Sequence, residues 1–87
     1  MTFEVVWSQS AIKQLKMLDR SVAKRIVDAV DELLVDPHRF VSRIVNSPYF
    51  RLRVGDYRVL VDIHRKELRV LVVKVGHRKS VYDRDIG

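Results

Sequence analysis

The chain has 87 residues, enough for one small domain over residues 1–87, and its lack of cysteine excludes disulfides and thiolate metal sites. At 47% hydrophobic and 32% charged residues it is globular rather than disordered, and no apolar run approaches the ~18 residues of a membrane span. The net charge of +6 lies entirely in residues 42–87, which hold eleven basic and five acidic side chains, whereas residues 1–41 hold six of each. A basic surface confined to one half is an electrostatic footprint for nucleic acid or an acidic partner. Met1 leads directly into strand-like sequence with no signal peptide, so a cytoplasmic protein is expected.

In chain order, Thr2 to Trp7 reads as a strand. Ser8 or Ser10 can cap a first helix, whose apolar stripe is Ala11, Ile12, Leu15 and Leu18. After a break at Asp19-Arg20, Ser21 is a second cap candidate for a longer helix with the stripe Val22, Ile26, Ala29, Val30, Leu33 and Leu34. Asp36-Pro37 ends it, because proline disfavours helical geometry in the residue before it. The two helices form a hairpin whose stripes cover one face of a sheet. His38 to Pro48 is a connection without periodicity. Three strands follow: Tyr49–Val54, Tyr57–His64 and Leu68–Val75, with Arg65-Lys66 as the last hairpin turn. The last strand is apolar on both sides, Leu68, Val70 and Val72 on one and Leu71, Val73 and Val75 on the other, which marks it as central. Gly76 to Ser80 breaks it, and a short tail ends the chain. The expected class is α+β, in the order β-α-α-β-β-β: a twisted antiparallel four-stranded sheet packed by an N-terminal helical hairpin.

The most informative stretch is the hairpin around Gly55-Asp56. Two residues between alternating runs, glycine first, specify a tight II′ or I′ turn. Val54 then faces Tyr57, Arg53 faces Arg58, Leu52 faces Val59 and Arg51 faces Leu60. Alternation puts Phe50, Leu52, Val54, Tyr57, Val59 and Val61 on one face and Arg51, Arg53 and Arg58 on the other. Like charges opposite each other across a strand pair destabilise by roughly 0.2–1 kcal/mol. A bound anion removes that penalty, and guanidinium forks fit phosphate. The alternative is a solvated charged face. Something must also cover the arginine-bearing face near Leu60, Leu71 and Val73, either the tail or a partner.

The run Arg51-Leu52-Arg53-Val54-Gly55-Asp56-Tyr57-Arg58-Val59, followed by Val75-Gly76-His77-Arg78-Lys79-Ser80-Val81-Tyr82, resembles the RelE family of toxin–antitoxin toxins over essentially the whole chain. The resemblance implies the strand and helix order already read. It also implies ribosome-dependent cleavage of mRNA in the A site and neutralisation by a cognate, RelB-like antitoxin. In such ribonucleases the 2′-OH attacks the adjacent phosphate, which calls for a base, a stabiliser of the phosphorane charge and an acid for the leaving 5′-oxygen. By resemblance, Arg51 acts on the 2′-OH and Arg58 grips the phosphate. Arg78 stabilises charge or protonates the leaving group, and Tyr82 stacks on or orients the base. Arg43, Arg53 and Lys79 are RNA or ribosomal RNA contacts.

One departure concerns the base. Some family members carry a lysine near the Arg51 position, and others use a Glu–His pair. Here Tyr49, Arg51 and Arg53 occupy that region. Arginine stays protonated in proteins, which suits it to electrostatic stabilisation rather than proton abstraction. His77 is a candidate acid or base, set against a capping or solvent-exposed role. His38 and His64 read as loop and turn residues. No histidines share a metal-ligand spacing and the acids do not cluster, so neither a metal nor another cofactor is expected. Two further classes stay open: a ParE-like inhibitor of DNA gyrase that cuts no RNA, and an inactive nucleic-acid or partner-binding module. The hairpin alone does not separate the first of these from a nuclease, and the His77-Arg78…Val81-Tyr82 tail favours the nuclease.

Overall fold

The computed structural model of the chain describes residues 2–77. The elements are β1 (Glu4–Trp7), α1 (Gln9–Lys16), α2 (Arg20–Asp31), a 3₁₀ turn (Glu32–Leu34), β2 (Val41–Arg43), β3 (Phe50–Val54), β4 (Tyr57–His64) and β5 (Arg69–His77). The strands form one five-stranded sheet in the order β1-β5-β4-β3-β2, with the helices on one face.

The α+β class and the helical hairpin hold, but the sheet differs from the expected four antiparallel strands in two ways. It has a fifth strand, because Val41–Arg43 pairs with the outer side of β3 inside what reads as an unstructured connection. Three residues are too few to carry a period. It is also mixed, because β1 runs parallel to β5, with Glu4 opposite Arg69 and Trp7 opposite Val72. The chain leaves β1 through both helices, reaches the far edge at β2 and winds back through β3, β4 and β5. The three reversals bring β5 beside β1 in the same direction.

Ser8 caps α1 by accepting a hydrogen bond from the Ala11 amide at 3.1 Å. The α2 helix begins two residues earlier than Ser21 predicts. Asp19 is the N-cap residue, so Ser21 lies inside the helix. Ile26, Val30 and Leu33 are fully buried and Ala11 joins them, whereas Ile12, placed on the first helix's apolar stripe, is 40% exposed. The helix-covered face of the sheet supplies Leu52, Val54, Val59, Val61, Val70, Val72 and Val75 to the same core. Burying a large aliphatic side chain contributes about 1.5–3 kcal/mol, so this cluster is the main source of stability.

β5 contains a bulge. Leu60 pairs with Lys74 and the next residue, Val61, pairs with Val72, so Val73 is the extra residue. The bulge corrects the expected faces of this strand. Val75 belongs to the main core with Val70 and Val72, while Val73 points the other way and packs with Leu60, Ile44 and Tyr49. Ile44 and Tyr49, from the β2–β3 connection, are therefore what covers the apolar part of the arginine-bearing face. β5 also continues past the expected break, with Gly76 opposite Arg58 and His77 opposite Tyr57. The β4–β5 turn uses four residues, Arg65 to Leu68, rather than two, and Leu68 adopts a left-handed φ of 52°.

Candidate nucleic-acid interface

The β3–β4 hairpin forms in the register its sequence specifies. Val54 pairs with Tyr57, Arg53 with Arg58, Leu52 with Val59 and Arg51 with Leu60. Gly55 has φ +58°, and Asp56 is not among the residues of positive φ, which selects the II′ turn over I′. Glycine is favoured there because an L side chain is strained at that φ; a Cβ would also lie 3.3 Å from Nη2 of Arg25 on α2, a contact the flexible arginine relieves by a small shift.

The helix-free face of this hairpin holds Arg51, Arg53 and Arg58 in graded exposure: Arg53 is exposed, Arg51 half-buried and Arg58 only 8% exposed. A guanidinium held this deep keeps a fixed orientation, which is what a phosphate clamp needs. Across β4 the rows continue into β5. Arg51, Leu60 and Lys74 form one row, and Arg53, Arg58 and Gly76 form the next. The face is thus a patch of three guanidiniums and one ammonium bordering the small apolar cluster of Leu60, Val73, Ile44 and Tyr49. Lys74 was missed in the sequence because its face depends on the bulge.

Two other candidates do not join this patch. Arg43 pairs with Phe50 on β3, and Phe50 lies on the helix-covered side, so Arg43 lies there too, and Ser42 is the residue opposite Arg51. His77 pairs with Tyr57 and meets its ring edge to face at 5.5 Å, again on the helix-covered side. Arg78, Lys79 and Tyr82 lie outside the described residues. The remaining histidines do not join the patch either: His38 packs edge-on against Phe50 on the helix-covered side at 5.0 Å. His64, at the far end of β4, meets the Asp62 carboxylate at 3.0 Å, and His38 meets Arg65 at 2.9 Å. Among the described residues no cluster of three His, Cys, Asp or Glu side chains could hold a metal ion.

A patch of this composition has the charge and the hydrogen-bond donors to hold an anion and polarise it. Cations fixed around a phosphate stabilise charge that builds on its oxygens, without reorganising as the reaction proceeds. Because arginine does not give up its proton, the described arginines supply charge and hydrogen bonds rather than a base.

The sequence profile of the family described as "ParE toxin of type II toxin-antitoxin system, parDE" matches residues 5–82. The chain is 29% identical over 86 residues to Toxin RelE3 of Methanocaldococcus jannaschii, covering 92% of this chain and 96% of that protein. The fold is similar to that of a chain in the RelBE2 toxin–antitoxin complex of Mycobacterium tuberculosis, with TM-score 0.79, 25% identity and coverage of 88% of this chain and 92% of that one. It is also similar to a chain in the archaeal RelE–RelB complex of Pyrococcus horikoshii, with TM-score 0.77, 26% identity and coverage of 90% and 97%. With a profile match across most of its length and the strand order and hairpin described above, the chain belongs to the RelE/ParE superfamily of type II toxin–antitoxin toxins.

Proposed function

We propose that the chain is a metal-independent endoribonuclease that cuts mRNA in the ribosomal A site and so inhibits translation. The observation that carries this reading is the direct pairing of Arg53 with Arg58 beside Arg51, with Arg58 nearly buried, on the helix-free face of the sheet. Repulsive pairs of this kind are offset when a polyanion lies across them.

In the proposed step the 2′-oxygen attacks phosphorus, forming the 2′-O–P bond and breaking the bond to the 5′-oxygen. The products are a 2′,3′-cyclic phosphate and a 5′-hydroxyl end. The 2′-OH proton leaves to a base and another proton reaches the 5′-oxygen. Arg58 and Arg51 hold the non-bridging oxygens and stabilise the added phosphorane charge. Arg53, more exposed, meets the flanking backbone. Arg78 and Tyr82 are proposed to complete the site from the C-terminal segment, as charge stabiliser or acid and as base-stacking group, with Lys79 as an outer RNA contact; Arg43, on the helix-covered side, is left out of it. His77 faces Tyr57 rather than the arginines, which supports a structural role for it over proton transfer. A flat cationic face carries little sequence information, so the ribosome must align the substrate.

A RelB-like antitoxin is the proposed partner, because both similar structures are toxin–antitoxin complexes. The second reading, inhibition of DNA gyrase, is favoured by one observation: the matching family profile is that of ParE toxins. The test is mRNA cleavage in a purified translation system with stalled ribosomes, mapping cuts by primer extension. A-site cuts that need the ribosome and drop by at least about a hundredfold in Arg58→Ala support the nuclease. No cuts from wild type on any ribosomal complex refute it, and a gyrase supercoiling assay then tests the second reading.

A further inference from the structure

The β5 bulge has an effect on the cationic face that nothing in the hairpin requires. In an unbroken strand, Lys74 would share a face with Val70 and Val72, both fully buried under the helices. The extra residue at Val73 shifts the alternation by one. Lys74 is then opposite Leu60, in line with Arg51 on β3 and one row from the Arg58–Gly76 pair. Diagonal neighbours on one sheet face lie about 7–8 Å apart, within reach of long side chains. The bulge is held from outside the sheet. Ser8 Oγ donates to the Val73 carbonyl at 2.7 Å, and the Ser8 amide donates to the Val72 carbonyl at 3.0 Å. Bulges of this kind re-aim a side chain, and they are frequent beside active sites.

We infer that Lys74 is a fourth phosphate-binding residue of the site, contacting the RNA backbone together with Arg51 and Arg58. The inference rests on the nuclease reading for the identity of the RNA, though not for the anion contact itself. Lysine differs from its three neighbours in kind. It offers a compact charge with rotatable donors rather than a planar fork, so it can follow a phosphate whose oxygens rearrange.

The test uses the full chain and a short single-stranded RNA carrying 2′-O-methyl groups, which cannot be cut. Affinity is measured from low to moderate salt for wild type, Lys74→Met, Lys74→Arg and Lys66→Met, the last lying in the β4–β5 turn at the far end of the sheet. A matching thermal melt shows that Lys74→Met is folded. Each phosphate contact to single-stranded nucleic acid contributes about 0.7 to the slope of log affinity against log salt. The expected result is that Lys74→Met loses about that much slope and about tenfold in affinity at low salt. Lys74→Arg restores most of both, and Lys66→Met matches wild type. The inference is overturned if wild type shows no saturable binding, if Lys74→Met binds as wild type does, or if Lys66→Met loses as much as Lys74→Met. Should the Lys74→Met loss occur while wild type cuts no mRNA, the phosphate contact stands and the nuclease reading alone fails.

Discussion

The pairing of Arg53 with Arg58 predicts a protein that is less stable than its fold allows, and Arg53→Glu measures the difference. The two side chains are directly opposite across an antiparallel pair, so their Cβ atoms are about 4.5–5.5 Å apart. A like-charged pair in that position costs about 0.2–1 kcal/mol, and an opposite-charged pair contributes a similar amount, so reversal spans about 0.4–2 kcal/mol. Arg53 is exposed, and solvent screening keeps the gain in the lower part of that span, about 0.4–1 kcal/mol. For a domain of this size each kcal/mol moves the melting temperature by about 4–8 °C, giving an expected rise of about 2–8 °C at low salt. The Debye length falls from about 10 Å at 0.1 M to about 3 Å at 1 M, so most of the rise vanishes in 1 M salt. Thermal melts at both salt concentrations, monitored by circular dichroism, are the assay, with ribosome-dependent cleavage expected to fall in parallel. A variant no more stable than wild type at low salt refutes the claim that this pair is repulsive. A rise that persists unchanged in 1 M salt refutes its electrostatic origin.

Two further predictions concern the parts that hold this face in shape. Ser8→Ala removes both the α1 cap and the hydroxyl on the Val73 carbonyl, and is expected to destabilise by about 0.5–2 kcal/mol in urea unfolding; a change within error of zero would show that water replaces the hydroxyl at both sites. Gly55→Ala places an alanine at a left-handed φ and is expected to cost about 1–2 kcal/mol; retention of full stability would contradict the II′ turn.

The hairpin was legible in the sequence because three signals agree there: alternation in both strands, a two-residue turn with glycine first, and a register that puts Leu52, Val54, Tyr57, Val59 and Val61 together on the core face. All four expected pairs form. The helices were legible for a similar reason, since Ile26, Val30 and Leu33 recur at a spacing only a helix can bury on one side. The direction of β1 was not, because period and composition say nothing about whether a neighbour is parallel. Nor was β2, whose pairing is dictated by the open edge of β3 rather than by its own three residues. The patch was read as arginines alone for a more specific reason. Alternation along β5 is interrupted once, at Val73, and the interruption is fixed by Ser8, sixty-five positions away in sequence. No local pattern carries that information, so Val75 was assigned to the wrong face and Lys74 was not singled out. His77 and Arg43 show the converse, since residues that sequence reading grouped with the site fall on the other side of the sheet in space.

The strand order has a consequence for when this surface comes into being. The last of the described strands, β5, occupies an interior position, between β1 and β4. Residues 4–7 have no strand neighbour until residues 69–72 have been synthesised. Until β5 arrives, β4 lacks its other neighbour, the Val72 and Val73 carbonyls that Ser8 holds do not yet exist, and Lys74 has no row to complete. Such long-range closure is slow compared with helix formation. A nascent chain therefore holds β1 without a strand partner even after the β3–β4 hairpin is complete at His64. The assembled cationic face is a property of the finished molecule, and a chain truncated before residue 69 has the arginines without the sheet that aligns them.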